Sequence, residues 1–336
     1  MTARRLRGPS AAQIEALFEP LGRAKALLIA VSGGPDSTAL LLMAAEWARR
    51  WGKTRIEAAT VDHGLRPESA AEAEAVAAIC ARLGVAHRIL PWKGAKPASR
   101  LQERAREARY RLLVEHAKAI GADALLTAHH ADDQAETVLF RFLRGSGVAG
   151  LRGMEPMTTR DGMTIARPLI GMRKPELIAF ARARGAPFVD DPSNADPRFA
   201  RARLRALIAR LGEEGLDAEA LDRLARRAGE TEAALAHLTA EVEARLGAGE
   251  AIDARALYAA PIAIVQRILS HRIAAAGGRE ESRIGLEKVE ALAAALREAL
   301  RERRAYAANL GGALVRLSVK GRLSFAPEPP RKGGKR

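Results

Sequence analysis

Cysteine is almost absent: the 336 residues hold one, Cys80. A single thiol cannot close a disulfide framework or build a cysteine-ligated metal site within one chain, so a reducing, cytoplasmic compartment is expected. Cys80 ends an apolar helical pattern, Val76-Ala77-Ala78-Ile79-Cys80, and reads as a core thiol. No apolar run reaches the roughly 18 residues of a membrane-spanning helix, so no membrane partner is expected. The basic stretch Arg4-Arg5-Leu6-Arg7 is followed by no apolar signal region. Acids are short as well: 40 Asp and Glu against 55 Lys and Arg leave a net charge of +15. A surplus of that size points to a polyanionic partner, nucleic acid first. No internal repeat is present.

What the chain does have is alternation. Apolar runs at 26–31, 56–62, 86–90 and 124–128 read as strands, and helical patterns at 38–47, 67–83, 99–120 and 131–143 separate them. This implies an α/β fold with a doubly wound parallel sheet, whose ligands sit at the carboxyl ends of the strands. A basic, Gly-rich loop follows at 144–153, then a hairpin signal at Asp161-Gly162, a helix over 174–184, an Asp/Asn/Pro loop over 188–197 and an Arg-rich helix over 198–211. Residues 212–215 read as a linker. Beyond it, helices over 217–246, 261–275 and 285–303 and a hairpin over 306–326 form a second, mainly helical unit. The expected organisation is thus a catalytic domain over 1–212, an accessory domain over 216–326 and a disordered basic tail over 327–336.

The first strand runs directly into Ser32-Gly33-Gly34-Pro35-Asp36-Ser37-Thr38 and then into a helix. Glycines let the backbone turn and approach a ligand, and unpaired amides at the helix start favour an anion. Hydroxyls of Ser32, Ser37 and Thr38 add donors, so the segment reads as a phosphate cradle. The more common cradle carries a Lys before its Ser/Thr; here an acid, Asp36, holds the helix start. Two readings are open. Asp36 holds Mg²⁺ that bridges to a nucleotide, or it caps the helix for about 0.5–2 kcal/mol. The string resembles the pyrophosphatase loop of the N-type ATP pyrophosphatases, which split ATP into AMP and pyrophosphate. That resemblance implies ATP and Mg²⁺, with Ser32, Gly33, Gly34, Pro35, Asp36 and Ser37 around the phosphates.

Further polar groups fall at other strand ends. Asp62 and His63 end the second strand, beside Gly64. His129-His130-Ala131-Asp132-Asp133-Gln134-Ala135-Glu136-Thr137 follows the fourth. Adjacent histidines point different ways, which speaks against a two-His metal site. Asp133 and Glu136, at i and i+3, share one helix face. They could hold an ammonium group, or they could simply serve the helix dipole. Arg104, Arg106, Arg109 and Arg111 on one helix, and Arg201, Arg203 and Arg205 on another, form solvated faces or a track for phosphates.

In order, the cradle, Val61-Asp62-His63-Gly64-Leu65, Arg109-Tyr110, the His129–Thr137 string, the Leu143–Leu151 Gly-rich loop, Arg167-Pro168-Leu169 and Asp191-Pro192-Ser193-Asn194 through Asp196 resemble the tRNA(Ile)-lysidine synthase family. The resemblance covers about residues 24–210; over 216–326 it is looser. Ala202 stands where the family's Arg-Asn-Arg string has Asn, and the chain looks short for the family. The resemblance implies a ligase that joins lysine to C2 of cytidine 34 in the CAU anticodon of tRNA(Ile), through an adenylated tRNA. It implies that Asp36, Arg109, His129 and Arg201 serve ATP and the transition state, and that Asp133 and Glu136 hold L-lysine. Its partners would be tRNA(Ile) and L-lysine, and it leaves a homodimer open. Rival readings are base thiolation, which generally needs a cysteine pair; a small-molecule amidotransferase synthetase, which does not explain the charge; and a non-catalytic RNA-binding relic, which would tend to lose Asp36, Asp133 and Glu136.

Overall fold

A computed structural model describes residues 8–65, 68–94, 101–188, 200–247, 249–281 and 284–329. The expected helix starts at Pro67 and Ser99, the Asp191–Asp196 motif and Arg198 lie outside the described residues. The chain divides into two compact units, the first ending at Arg226 and the second beginning at Arg227, with Gly147–Ala149 grouped with the second.

In the first unit α1 (Ala11–Phe18) precedes β1 (Ala26–Ala30), α2 (Pro35–Arg50), β2 (Arg55–Asp62), α3 (Ser69–Leu83), β3 (Ala86–Pro91), α4 (Leu101–Ala119), β4 (Ala124–Leu126) and α5 (Ala131–Phe142). The single turn α6 (Val148–Leu151), the strands β5 (Met157–Arg160) and β6 (Met163–Ala166), α7 (Lys174–Ala183) and α8 (Ala200–Glu213) follow. The sheet order is β3-β2-β1-β4-β6-β5. β1 pairs in parallel with both β2 and β4, and β5 is the antiparallel edge, joined to β6 by the expected hairpin. Alternation along β1 fixes the layers. Leu27 and Ile29 belong to the core formed with α1, α2 and α7, including Phe18, Leu41 and Phe180. Leu28 belongs to the opposite core, with Tyr110, Leu113 and Val114 of α4. Helices therefore cover both faces, as the alternation predicts. The strand order reverses at β1, so the crevice for a ligand opens between the carboxyl ends of β1 and β4.

The second unit contains most of α9 (Ala218–Leu246), then β7 (Ala251–Asp253), α10 (Ala254–Tyr258), α11 (Ile262–Gly277), α12 (Leu286–Arg301), β8 (Tyr306–Leu310), β9 (Ala313–Leu317) and β10 (Arg322–Pro327). Its core joins Val265, Ile268 and Leu269 of α11 and Leu292 and Leu296 of α12 to Val315 and Leu323 of the sheet.

Three boundaries differ from expectation. The turn at 212–215 does not separate the units: Leu221 and Ala225 of α9 share a buried cluster with Leu204 of α8 and Val138 and Leu139 of α5. That packing keeps the first turns of α9 with the sheet, and the division falls inside α9. The expected hairpin is part of a four-stranded antiparallel sheet ordered β7-β10-β9-β8. Between β8 and β9 the chain turns at Gly311 and Gly312, both with positive φ (61° and 85°), which is the conformation a tight hairpin turn demands. The tail begins later than expected, since Pro327 pairs with Ala313 and the Glu328 amide donates to Gly312 O at 2.8 Å; residues 330–336 lie outside the described ones.

Candidate active site

The cradle occupies the end of β1 and the first turn of α2. Gly33 has φ +84°, a conformation L side chains rarely adopt, so glycine is what allows the chain to turn there. The N-cap of α2 is Gly34, which provides no side-chain cap. Ser37 closes the turn instead: its hydroxyl accepts from the Ser32 amide at 3.1 Å and donates to Gly34 O at 3.1 Å. Asp36 therefore does not cap the helix. Its Oδ1 is buried and has no hydrogen-bond partner, while Oδ2 lies 3.5 Å from His130 Nε2 and 3.7 Å from Lys174 Nζ.

A cavity of about 390 Å³ opens over this turn. Ser32, Gly34, Pro35, Asp36, Ser37, Arg109, His129, Asp133 and Arg201 all line it, so residues far apart in sequence meet at one place. Gly33 turns the backbone beneath the cavity rather than lining it. His63 lines it too, but Asp62 is spent on its own loop, where Oδ1 accepts from the Gly64 amide at 2.9 Å and Ser69 Oγ at 2.7 Å.

The two histidines diverge in position and in charge. His129 Nδ1 lies 2.9 Å from Thr127 Oγ1. Burial, then the fields of Arg106, Arg167, Arg109 and Arg201, push its pKa down to about 3, so the ring is neutral at ordinary pH. His130 faces the acids. Its Nε2 is 3.4 Å from Asp133 Oδ2 and its Nδ1 is 3.5 Å from Asp132 Oδ2. Burial opposes its charge, but the Asp132, Asp36 and Asp133 carboxylates outweigh it and raise the pKa to about 9. A neutral ring thus lies toward the arginines and a cationic ring toward the acids.

Arg106, Arg109 and Arg201 line one cavity together. Withdrawal from water, then the charges of Arg106 and Arg201, hold Arg109 below the ordinary guanidinium range. Arg167 is lowered by burial as well, and its Nε is buried without a partner. Arg106 and Arg160 both stack on Tyr110, at 5.1 and 4.4 Å from the ring centroid. Concentrated positive charge around a cavity of this kind suits a polyphosphate or a nucleic acid backbone.

Asp133 and Glu136 are both buried, but they are not equivalent. Asp133 lines the cavity and accepts from the His130 amide at 3.2 Å. Glu136 lies behind Arg205, whose Nε donates to Oε1, and Oε2 is buried with no partner. Burial raises the Glu136 pKa against the pull of Arg205. Gln134, between them, ties the end of the Gly-rich loop: its Oε1 accepts from the Met154 amide at 2.7 Å and its Nε2 donates to Met154 O at 3.0 Å.

Sequence reasoning missed Lys174, the pairing of Arg205 with Glu136 and the roles of Arg106 and Arg167. Arg106 and Arg205 stood in the two arginine runs and Arg167 in its Arg-Pro-Leu string; Lys174 had no local signal and is brought in by packing. The residues fit Mg²⁺ on one ground: Asp36 offers a buried, unsatisfied carboxylate oxygen. Among the described residues no group of three His, Cys, Asp or Glu could hold a metal. Such an ion would take most of its ligands from phosphate and water, as Mg²⁺ commonly does.

Comparison with known proteins gives the family. The PP-loop domain family matches residues 7–211. The chain is 50% identical over 320 residues to the tRNA(Ile)-lysidine synthase of Methylobacterium nodulans, covering 93% of each chain. It is 46% identical over 338 residues to the tRNA(Ile)-lysidine synthase of Rhodopseudomonas palustris, covering 96% of each. Against these relatives the chain is not short. The solved U34-tRNA thiolase NcsA of Methanococcus maripaludis aligns with a TM-score of 0.55 at 17% identity, over 65% of this chain and 77% of that one, a likeness of fold. On the match over most of its length, the chain belongs to the tRNA(Ile)-lysidine synthase family of PP-loop proteins.

Proposed function

We infer that this protein is a ligase that uses ATP to join L-lysine to C2 of cytidine 34 in the CAU anticodon of tRNA(Ile), forming lysidine. The observation that carries the reading is the shared cavity: a lysine-free phosphate cradle, an arginine cluster and Asp133 line one space. In the first step the C2 oxygen of cytosine attacks the α-phosphorus of ATP, the bond to the bridging oxygen breaks, and pyrophosphate leaves. The cradle amides and Arg109 and Arg201 stabilise the charge that grows on the leaving group. His129, held neutral, offers a hydrogen bond without adding charge. Mg²⁺, when bound at Asp36, would supply further neutralisation of the phosphates.

In the second step the lysine amine attacks C2, the bond from C2 to the adenylated oxygen breaks, AMP leaves with that oxygen, and the amine loses a proton. A carbonyl oxygen is a poor leaving group and AMP a good one, which is why ATP is spent. Asp133 and Glu136 would hold an ammonium of lysine; the partnerless Glu136 Oε2 supports this. Cytidine 34 must leave its stack to enter the cavity. Thiolation has less support, because the chain has one cysteine, buried Cys80. A cytoplasmic location follows from a tRNA substrate; no described helix is long and apolar enough to cross a membrane. The test is labelled lysine with ATP and total tRNA. Label should enter one isoleucine tRNA; label absent from tRNA with ATP present overturns the reading.

A further inference from the structure

The cradle has no lysine of its own, yet the fold brings one to it. Lys174 opens α7, lines the cavity, and places Nζ 3.7 Å from Asp36 Oδ2. Its placement is built. The Lys174 amide donates to Asp132 Oδ2 at 2.8 Å. Arg173 Nη2 and Nε donate to Asp132 Oδ1 at 3.1 and 3.3 Å. The Ala131 amide donates to Met172 O at 2.8 Å. These bonds latch the start of α7 to the start of α5, the helix that follows β4. The backbone is therefore fixed, while the Lys174 side chain, 31% exposed, keeps room to move.

We propose that Lys174 is the phosphate-site lysine of this enzyme: paired with Asp36 when no nucleotide is bound, it moves to the pyrophosphate oxygens of ATP. The reason is charge balance. An ammonium at Asp36 Oδ2 opposes a divalent ion on the same carboxylate, since like charges repel. With Lys174 moved, its ammonium would no longer oppose Mg²⁺ at Asp36, whose Oδ1 is without a partner, and it would stand where negative charge develops on the leaving group. The bond that breaks is the one between the α-phosphorus and the bridging oxygen; Lys174 contributes its charge and takes no part in bond making.

This inference rests on the ATP reading of the cradle, and the test separates the two. Wild type, Lys174→Met and Lys174→Arg are titrated with inorganic pyrophosphate in the presence of Mg²⁺. In a separate series they are titrated with Mn²⁺ alone, read by electron spin resonance. Lys174→Met should weaken pyrophosphate binding on the order of tenfold or more, the loss of one charge-assisted contact. It should also tighten Mn²⁺ binding, because Asp36 no longer has a competing cation, and Lys174→Arg should recover most of the pyrophosphate affinity. Unchanged pyrophosphate and Mn²⁺ affinities in Lys174→Met, with or without a lower melting temperature, would assign Lys174 to the latch alone and overturn the proposal. Wild type that does not bind pyrophosphate would overturn the ATP reading itself, and the role of Lys174 with it.

Discussion

Glu136 and Arg205 form an ion pair that uses only half of the carboxylate: Oε1 accepts from the guanidinium and Oε2 is buried with no partner. The Glu136 side chain is 4% exposed and does not line the cavity, whereas that of Arg205 is 36% exposed and does. A ligand ammonium can therefore bind Glu136 only if Arg205 shares it or yields.

Glu136→Gln should raise the KM for lysine roughly 10- to 100-fold, by loss of a charge-assisted hydrogen bond. It should also cost stability, about 1–3 kcal/mol at most, because Arg205 loses the Glu136 charge; the partial exposure of Arg205 lowers that cost. Adenylate formation, assayed without lysine, should survive. Loss of adenylation with an unchanged lysine KM would assign Glu136 to the ATP side.

Asp133→Asn should differ from Glu136→Gln. Asp133 Oδ2 lies 3.4 Å from the same His130 nitrogen that lies 3.5 Å from Asp36. Its removal disturbs the phosphate side as well, so both half-reactions should slow. A pure effect on lysine KM would show that His130 does not couple the two acids.

Asp36→Asn should reduce ATP cleavage to AMP and pyrophosphate by roughly 10²–10³-fold, comparable to loss of one preorganised electrostatic contact in other enzymes. Raising Mg²⁺ should not restore it. A near-normal rate at saturating Mg²⁺, or ADP as product, would remove Asp36 from the centre of the site.

The cradle was legible because it is one consecutive string at the point where apolar strand pattern gives way to helix pattern. The parallel sheet was legible for the same reason, through repeated alternation. The partners of the acids were not, because they are set by packing: Lys174 and Arg205 reach Asp36 and Glu136 from α7 and α8, and nothing next to either residue in sequence announces it. β7 was missed because Ala251–Asp253 is too short to show a period.

His129 gives a pH dependence of defined sign. Its pKa falls from an ordinary 6.5 to about 3 in the fold. A base with a depressed folded pKa contributes stability that is present above pH 6.5 and lost as pH falls toward 3. His129→Gln should therefore lose less stability than wild type between neutral and acid pH in urea unfolding. Parallel losses in the two proteins would show that His129 is not held neutral.

Binding of tRNA should be salt-sensitive. Arg106, Arg109 and Arg201 surround the cavity, and the chain carries a net +15. The logarithm of the binding constant should fall with log salt by roughly 0.7–0.9 per phosphate contact. Binding that barely changes between low and moderate salt would count against a tRNA substrate.

The most direct test of the central claim follows the α-phosphate. The enzyme is incubated with ATP labelled at the α-phosphorus and a tRNA carrying the CAU anticodon of isoleucine, in the absence of lysine. Label should appear on the tRNA, should require cytidine at position 34, and should be released as AMP when lysine is added. Label that never joins the tRNA, or that lysine does not release, would contradict the account.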